Sequence, residues 1–142
     1  MLDGRRVLLV VSGGIAAYKS AILVRRLRRS GARVDVVMTA SAEKMVGVTT
    51  FQALSGRPVL TDLWTEPLAH VELWRAADLA IVAPATANIM AKMAHGIADD
   101  MATSTLLAVA CPVLVCPAMN LRMWSNAATQ ANAATLARMG VH

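Results

Sequence analysis

A three-layer α/β fold around a parallel sheet is predicted by two observations. Continuous apolar, largely β-branched runs recur along the chain, and segments of helical periodicity separate them. The runs do not alternate with polar residues, so both faces of each strand are to be covered, as in parallel sheets flanked by helices. The 142 residues suffice for one core and are too few for two ordinary domains, so residues 1–142 read as one unit.

"RVLLVV" (Arg6–Val11) is the first strand, because it is apolar and free of Gly and Pro. "IAAYKSAILVRRLRRSG" follows as a helix, with Ile15, Tyr18, Ile22, Leu23 and Leu27 at helical spacing and Gly31 as its stop. "RVDVVMT" is a second strand ending near Thr39; short helical zones at "SAEKMVG" and "TTFQALSG" come next. "DLAIVAPA" is a third strand, "TANIMAKMAHG" and "DMATSTLLAVA" are helices, and "CPVLVCPA" is a fourth strand. "NAATQANAATLARMG" is a last helix, and "GVH" stands where another strand would begin. Right-handed crossovers join such strands. The expected class is a flavodoxin-like or Rossmann-like α/β fold.

Hydrophobic residues make up 56% of the chain and charged ones 16%, an excess that a subunit interface would absorb. A membrane span does not fit. "AADLAIVAPATANIMAKMA" is broken by Asp78, Pro84, Asn88 and Lys92, short of the ~20 clean residues a crossing needs. No cleavable leader is evident after the first apolar run, which points to the cytoplasm. The net charge is +5. Arg25, Arg26, Arg28 and Arg29 read as the solvated face of the first helix. Aromatics at 4% leave little for base stacking, so no nucleic acid is expected. Cys111 and Cys116 are expected as buried free thiols, and no residue set has metal-ligand spacing.

Ligands in these folds bind at the carboxyl ends of the strands, here "SGG", "MTAS", "APATAN" and "PAMN". Gly13 and Gly14 let backbone N–H groups approach an anion at a helix N-terminus. "SGGIAAYKS" is nevertheless no nucleoside-triphosphate loop, since Tyr18 stands where the second glycine belongs, and Ala17 breaks a dinucleotide fingerprint. The second strand ends in the hydroxyls of Thr39 and Ser41 rather than in an acid for ribose. A mononucleotide phosphate suits that end better than ATP or NAD. Thr86, the Ala87 backbone and Asn88 open a helix, where Thr86 also serves as a cap. Asn120 follows the fourth strand, either as an amide donor or as a turn residue. His70 precedes the third strand, either as a structural histidine or as a proton-transfer group, since imidazole changes protonation near neutral pH; His95 and His142 have weaker cases.

Taken together, "SGGIAAYK", "HVELWRAADLAIVAPATAN", "GIADD" and "PAMNLRMW" resemble the homo-oligomeric FMN-containing cysteine decarboxylases, over nearly the whole chain. Within that group the resemblance is to the phosphopantothenoylcysteine decarboxylases, lyases of coenzyme A biosynthesis. It implies a flavodoxin-like sheet, homotrimers with higher assembly left open, and FMN near a subunit boundary; apolar residues such as Met90, Met93 and Leu106 are expected to contribute to the trimer interface. Gly13, Gly14, Thr39 and Ser41 would surround the FMN phosphate; Thr86, Ala87 and Asn88 would line the flavin. His70 would be the catalytic histidine. Asn120 would hold the substrate carboxylate, with Ala118 and Met119 beside it. The implied reaction oxidises the cysteine moiety of 4′-phosphopantothenoylcysteine to a thioaldehyde, loses carbon dioxide to an enethiolate, and returns the electrons to give 4′-phosphopantetheine.

Two implications of the resemblance are negative. The flexible loop whose cysteine serves the reductive half lies beyond "PAMN" in these enzymes, and neither Cys111 nor Cys116 matches it. The chain is therefore expected to be truncated before that loop, keeping FMN binding and oxidation but not full turnover. Two other functions remain open. A peptidyl-cysteine decarboxylase would stop at the enethiol, and a non-catalytic FMN-binding regulator would need neither His70 nor Asn120.

Overall fold

The computed structural model describes residues 1–65 and 69–142, Ala69 and His70 by their backbone alone. The elements run β1 (Arg6–Val11), α1 (Ala17–Arg29), β2 (Arg33–Met38), α2 (Ala40–Glu43), α3 (Val48–Ser55), β3 (Val59–Leu60), α4 (Ala69–Ala76), β4 (Leu79–Ala85), α5 (Ala87–His95), α6 (Met101–Ala108), β5 (Val113–Pro117), α7 (Leu121–Ser125) and α8 (Ala127–Arg138). All strand pairs are parallel, in the order β3-β2-β1-β4-β5. That is the predicted class, and the order itself is the Rossmann one. The four predicted strands are all present. The two-residue β3 and the helices α4 and α7 are additions.

Parallel register puts paired residues on the same side of the sheet, and each side has its own core. Val7, Leu9, Val11, Val36, Met38 and Ile81 pack with Ala17 and Val24 of α1 and Phe51 of α3. Leu8, Val10, Val37, Ala80 and Val82 pack with Ile89 and Met90 of α5, Met101 and Leu106 of α6, and Leu136 of α8. Asp35 is the exception on β2, 6% exposed. It takes ion pairs from both Arg6 (3.2 Å) and Arg57.

The structure sets the buried face of α1 and corrects two expectations about side chains. The buried stripe of α1 is Ala17, Ser20 and Val24; Ile15, Tyr18 and Ile22 face outward at 86%, 56% and 48% exposure. Small residues let the helix lie close on the sheet, and Ser20 completes the contact by donating from Oγ to the Ala83 carbonyl at 2.5 Å. Met90 and Leu106, expected at a subunit interface, are buried in the core, and Met93 packs against it. Cys111, just before β5, is half-buried against the core on the α5 side of the sheet, and Cys116 on β5 is exposed. Burial still pushes both thiols up from their ordinary range.

The four arginines of α1 are exposed, as expected, and Arg28 reaches across to donate to the Leu54 carbonyl at 3.0 Å. Gly31 leaves α1 at a φ of 91°, a left-handed conformation that favours glycine. At the other sheet edge, His142 pairs in parallel fashion with β5: its N–H donates to the Val113 carbonyl (2.9 Å) and its carbonyl accepts from Val115 (2.7 Å). No described helix is long and apolar enough to cross a membrane.

Candidate functional site

The sheet order reverses between β1 and β4, and a crevice opens beyond their carboxyl ends. Ser12 ties the two ends together. It is buried, its Oγ donates to the Pro84 carbonyl (2.6 Å), and the same oxygen accepts from the Thr86 N–H (3.1 Å). Pro84 lies at a register irregularity between β4 and β5, where its missing N–H costs the ladder nothing. Pairing resumes at Ala85↔Pro117, and the Ala118 N–H donates to the Ala85 carbonyl at 3.0 Å. This fixes where the "PAMN" loop leaves the sheet.

A cleft of about 420 Å³ occupies the switch point, lined among others by Gly13, Thr39, Ser41, Thr86 and Asn88. The structure thus brings five of the predicted site residues into one cavity, of a size typical for small-molecule sites. Gly13 is required there by close approach: a Cβ would collide with the Ser41 side chain and lie 2.9 Å from its carbonyl carbon. Gly14 instead packs toward Pro84 and Thr86, where a Cβ would sit 3.4 Å from the proline ring.

Thr39 and Thr86 do the same work at two helix starts. Thr39 Oγ1 accepts from the Ala42 N–H (3.1 Å) and its carbonyl from Glu43, leaving the first-turn N–H groups of Ala40 and Ser41 open. Thr86 Oγ1 accepts from Ile89 (3.2 Å) and its carbonyl from Met90, leaving those of Ala87 and Asn88. Ala87 therefore offers the site its backbone. In the first loop, no described residue accepts from the N–H of Gly13, Ile15 or Ala16. Both threonine hydroxyls also keep a proton to donate.

The sequence reading missed part of the lining: Ser12, Ala40, Ile89, Lys92, Asp100, Thr103 and Met123. Lys92 lies one turn beyond Asn88 on α5 and is held by both oxygens of Asp99 at 2.9 and 3.0 Å. Asp100 and Thr103 form the capping box that starts α6, with Thr103 N–H to Asp100 Oδ1 at 2.7 Å. The D-x-x-T spacing of the "ADDMATS" stretch was its available signal.

Hydrogen bonding from Lys92 holds the Asp99 carboxyl below the usual carboxylate range, more than offsetting the opposing effect of desolvation. A depressed pKa means that the pair stabilises the fold above the ordinary carboxylate pKa, and that this contribution fades as pH falls through the lowered one. Replacing Lys92 with Met is expected to raise the Asp99 titration midpoint toward the ordinary value, read by carboxyl-carbon NMR. An unchanged midpoint would mean that the pair does not persist in solution.

Ala118 and Met119 lie apart from the cleft, in an open groove of about 370 Å³ with Pro117 and Trp124. Asn120 caps α7: its Oδ1 accepts from the Met123 N–H at 2.9 Å, which leaves the amide NH₂ free to donate. Met123 of the same helix reaches the main cleft. His70 is the second residue of α4, and its side chain lies outside the described residues. His95 is at the far end of α5, with Nδ1 2.8 Å from the Ala91 carbonyl oxygen. Among the described residues no cluster of metal-ligating side chains occurs.

The chain is 50% identical over 145 residues to the coenzyme A biosynthesis bifunctional protein CoaBC of Vibrio vulnificus, covering 99% of this chain and 36% of that protein. It thus spans about a third of the length of the curated relatives it matches. Among solved structures, the FMN-dependent cysteine decarboxylase SpaF superposes with a TM-score of 0.94 at 38% identity, covering all of this chain and 84% of that one. A mutant PPC decarboxylase complexed with pantothenoylaminoethenethiol superposes at 0.81 with 30% identity, over 96% of this chain and 79% of that one. The sequence profile of the family described as flavoprotein matches residues 1–142. By that match over its whole length, the chain belongs to the flavoprotein family.

Proposed function

We propose that this protein is an FMN-dependent decarboxylase of 4′-phosphopantothenoylcysteine, acting in coenzyme A biosynthesis. The observation that carries the reading is the switch-point cleft, where open N–H groups and the hydroxyls of Thr39, Ser41 and Thr86 converge. Such a donor set suits a phosphate, and FMN ends in one. Of the described acids, only Asp100 lines the cleft, and its carboxylate is engaged by Thr103. Ile89, Met123 and the Asn88 amide supply the apolar surface and polar edge that a flavin ring requires. The residues present therefore fit FMN, with Gly13, Thr39 and Ser41 toward its phosphate and Thr86, Ala87 and Asn88 along its ring.

Bound FMN would supply two-electron oxidation of the substrate's cysteine moiety, which makes loss of the adjacent carboxylate possible. The chain's own contribution is binding and proton transfer. Asn120 donates its free amide N–H to the substrate carboxylate, while Ala118 and Met119 shape the groove around it. His70 exchanges a proton at the reacting end. The relatives named CoaBC and the solved PPC decarboxylase support this substrate over a peptidyl cysteine. SpaF, named as a cysteine decarboxylase, keeps the peptidyl alternative in view.

The protein acts as a homotrimer in the cytoplasm. Ile15 in the turn before α1, Tyr18 and Ile22 on α1, and Leu114 on β5 are exposed. Leu114 pairs with Ile81 in register and so faces the α1 side of the sheet, giving that side an apolar surface for a second copy. Light scattering is expected to give three times the chain mass; a monomer would contradict the trimer.

Two substitutions test the chemistry. His70→Asn is expected to lower decarboxylation at least about a hundredfold, the usual minimum for losing an acid–base group, with bound flavin unchanged. Loss of flavin or of assembly would make the histidine structural instead. Asn120→Asp preserves the helix cap, since Asp caps as well as Asn. It is expected to raise the KM roughly tenfold or more by carboxylate repulsion. An unchanged KM would remove Asn120 from substrate binding.

A further inference from the structure

The glycines and the lysine of "SGGIAAYKS" serve different cavities. Gly13 lines the switch-point cleft, whereas Lys19 lines a groove of about 300 Å³ on the other side of α1's first turn. That groove is walled by α1 and β4 and by the end of β5, with Ala16, Ser20, Pro84 and Cys116 in its lining. Pro117 and Ala118 are common to it and to the groove of Met119 and Trp124. The two therefore adjoin at the loop that carries Asn120.

Lys19 is exposed, and no described acid pairs with it. Among the described residues it is the cationic side chain lining either groove. Lys92, the cation of the main cleft, is already held by Asp99. Neighbouring Ser20 cannot bind ligand through its proton, which goes to the Ala83 carbonyl. A lysine in this position offers three unspent donors and a full charge beside the carboxylate-binding loop.

We propose that Lys19 binds the phosphate of the substrate and sets the preference for phosphorylated over unphosphorylated or peptidyl cysteines. The inference rests on the proposed decarboxylation. 4′-Phosphopantothenoylcysteine is charged at both ends, so Asn120 at the carboxylate and Lys19 at the phosphate would fix its direction across the two adjoining grooves. A charge-assisted contact at the phosphate would discriminate against an uncharged hydroxyl there.

The test uses the flavin-loaded protein, 4′-phosphopantothenoylcysteine, and its dephosphorylated analogue. Lys19→Gln is expected to raise the KM for the phosphorylated substrate about tenfold or more, leaving the analogue's KM, kcat and bound flavin unchanged. Lys19→Arg is expected to restore most of the loss. Calorimetry provides a readout independent of turnover: wild type should bind 4′-phosphopantetheine more tightly than pantetheine, and Lys19→Gln should bind both alike. Equal effects on the two substrates, or none, would overturn the role of Lys19 while leaving the decarboxylation standing. Wild type that decarboxylates neither substrate would overturn the proposed function and this inference with it.

Discussion

Gly13→Ala is expected to cost the protein its flavin. The added methyl has nowhere to go: a Cβ there lies 2.9 Å from the carbonyl carbon of Ser41 and closer still to the Ser41 side chain. The obstacle includes backbone, at the start of α2, so a rotamer change cannot relieve it. Either the β1–α1 loop or the β2–α2 loop must move, and both line the cleft through Gly13, Thr39 and Ser41. Displacements of this kind spread the N–H and hydroxyl donors that are proposed to converge on one phosphate. Flavin retained through purification should fall at least about tenfold, roughly one to two lost charge-assisted hydrogen bonds. Gly14→Ala is the control, because its Cβ would meet only side-chain atoms of Pro84 and Thr86, at 3.4 Å and beyond. It should retain most of the flavin. Full flavin content in Gly13→Ala would show that the two loops are not held as close as described.

Asp35→Ala is expected to be strongly destabilising although it lies away from the cleft. Asp35 sits on β2 between two guanidinium groups, Arg6 of β1 and Arg57 before β3. Removing it leaves two partly buried cations facing each other without a counter-ion. Deleting one partner of a buried pair typically costs about 3–5 kcal/mol, which for a chain of this size is a fall of roughly 10–17 °C in Tm. Arg5→Ala provides the contrast. Its pair with Asp78 is exposed on both sides at 3.3 Å, so thermal melting should change little. Asp78 remains held below the usual carboxylate range chiefly by the Arg6 backbone N–H, which that substitution leaves in place. A melting point of Asp35→Ala within a degree or two of wild type would refute the assigned role.

The strands were legible because their chemistry is one-dimensional: β1, β2, β4 and β5 are apolar runs that need no partner to be recognised. Val59–Leu60 offered no such run, and two residues of strand carry no periodicity. The orientation of α1 was not legible for a different reason. Ile15, Tyr18 and Ile22 have helical spacing, but the sheet accepts the smaller Ala17, Ser20 and Val24, and size at the contact is set by the fold rather than by periodicity. The strand-end residues Gly13, Thr39, Ser41, Thr86 and Asn88 could be found because the topology dictates where strands deliver ligands. Lys92, Asp100 and Thr103 reach the same cleft through the packing of α5 and α6, which no local pattern specifies. Ser12 did have a signal, a hydroxyl at the end of a central strand just before two glycines.

One cleft is proposed to hold a flavin able to oxidise this cysteine substrate. An anaerobic visible spectrum, taken before and after adding 4′-phosphopantothenoylcysteine, tests this most directly. The expected result is a yellow protein whose flavin absorbance bleaches on mixing, with carbon dioxide released. A yellow protein whose spectrum stays unchanged and which releases no carbon dioxide would contradict it, and would leave a flavin-binding protein with a different task.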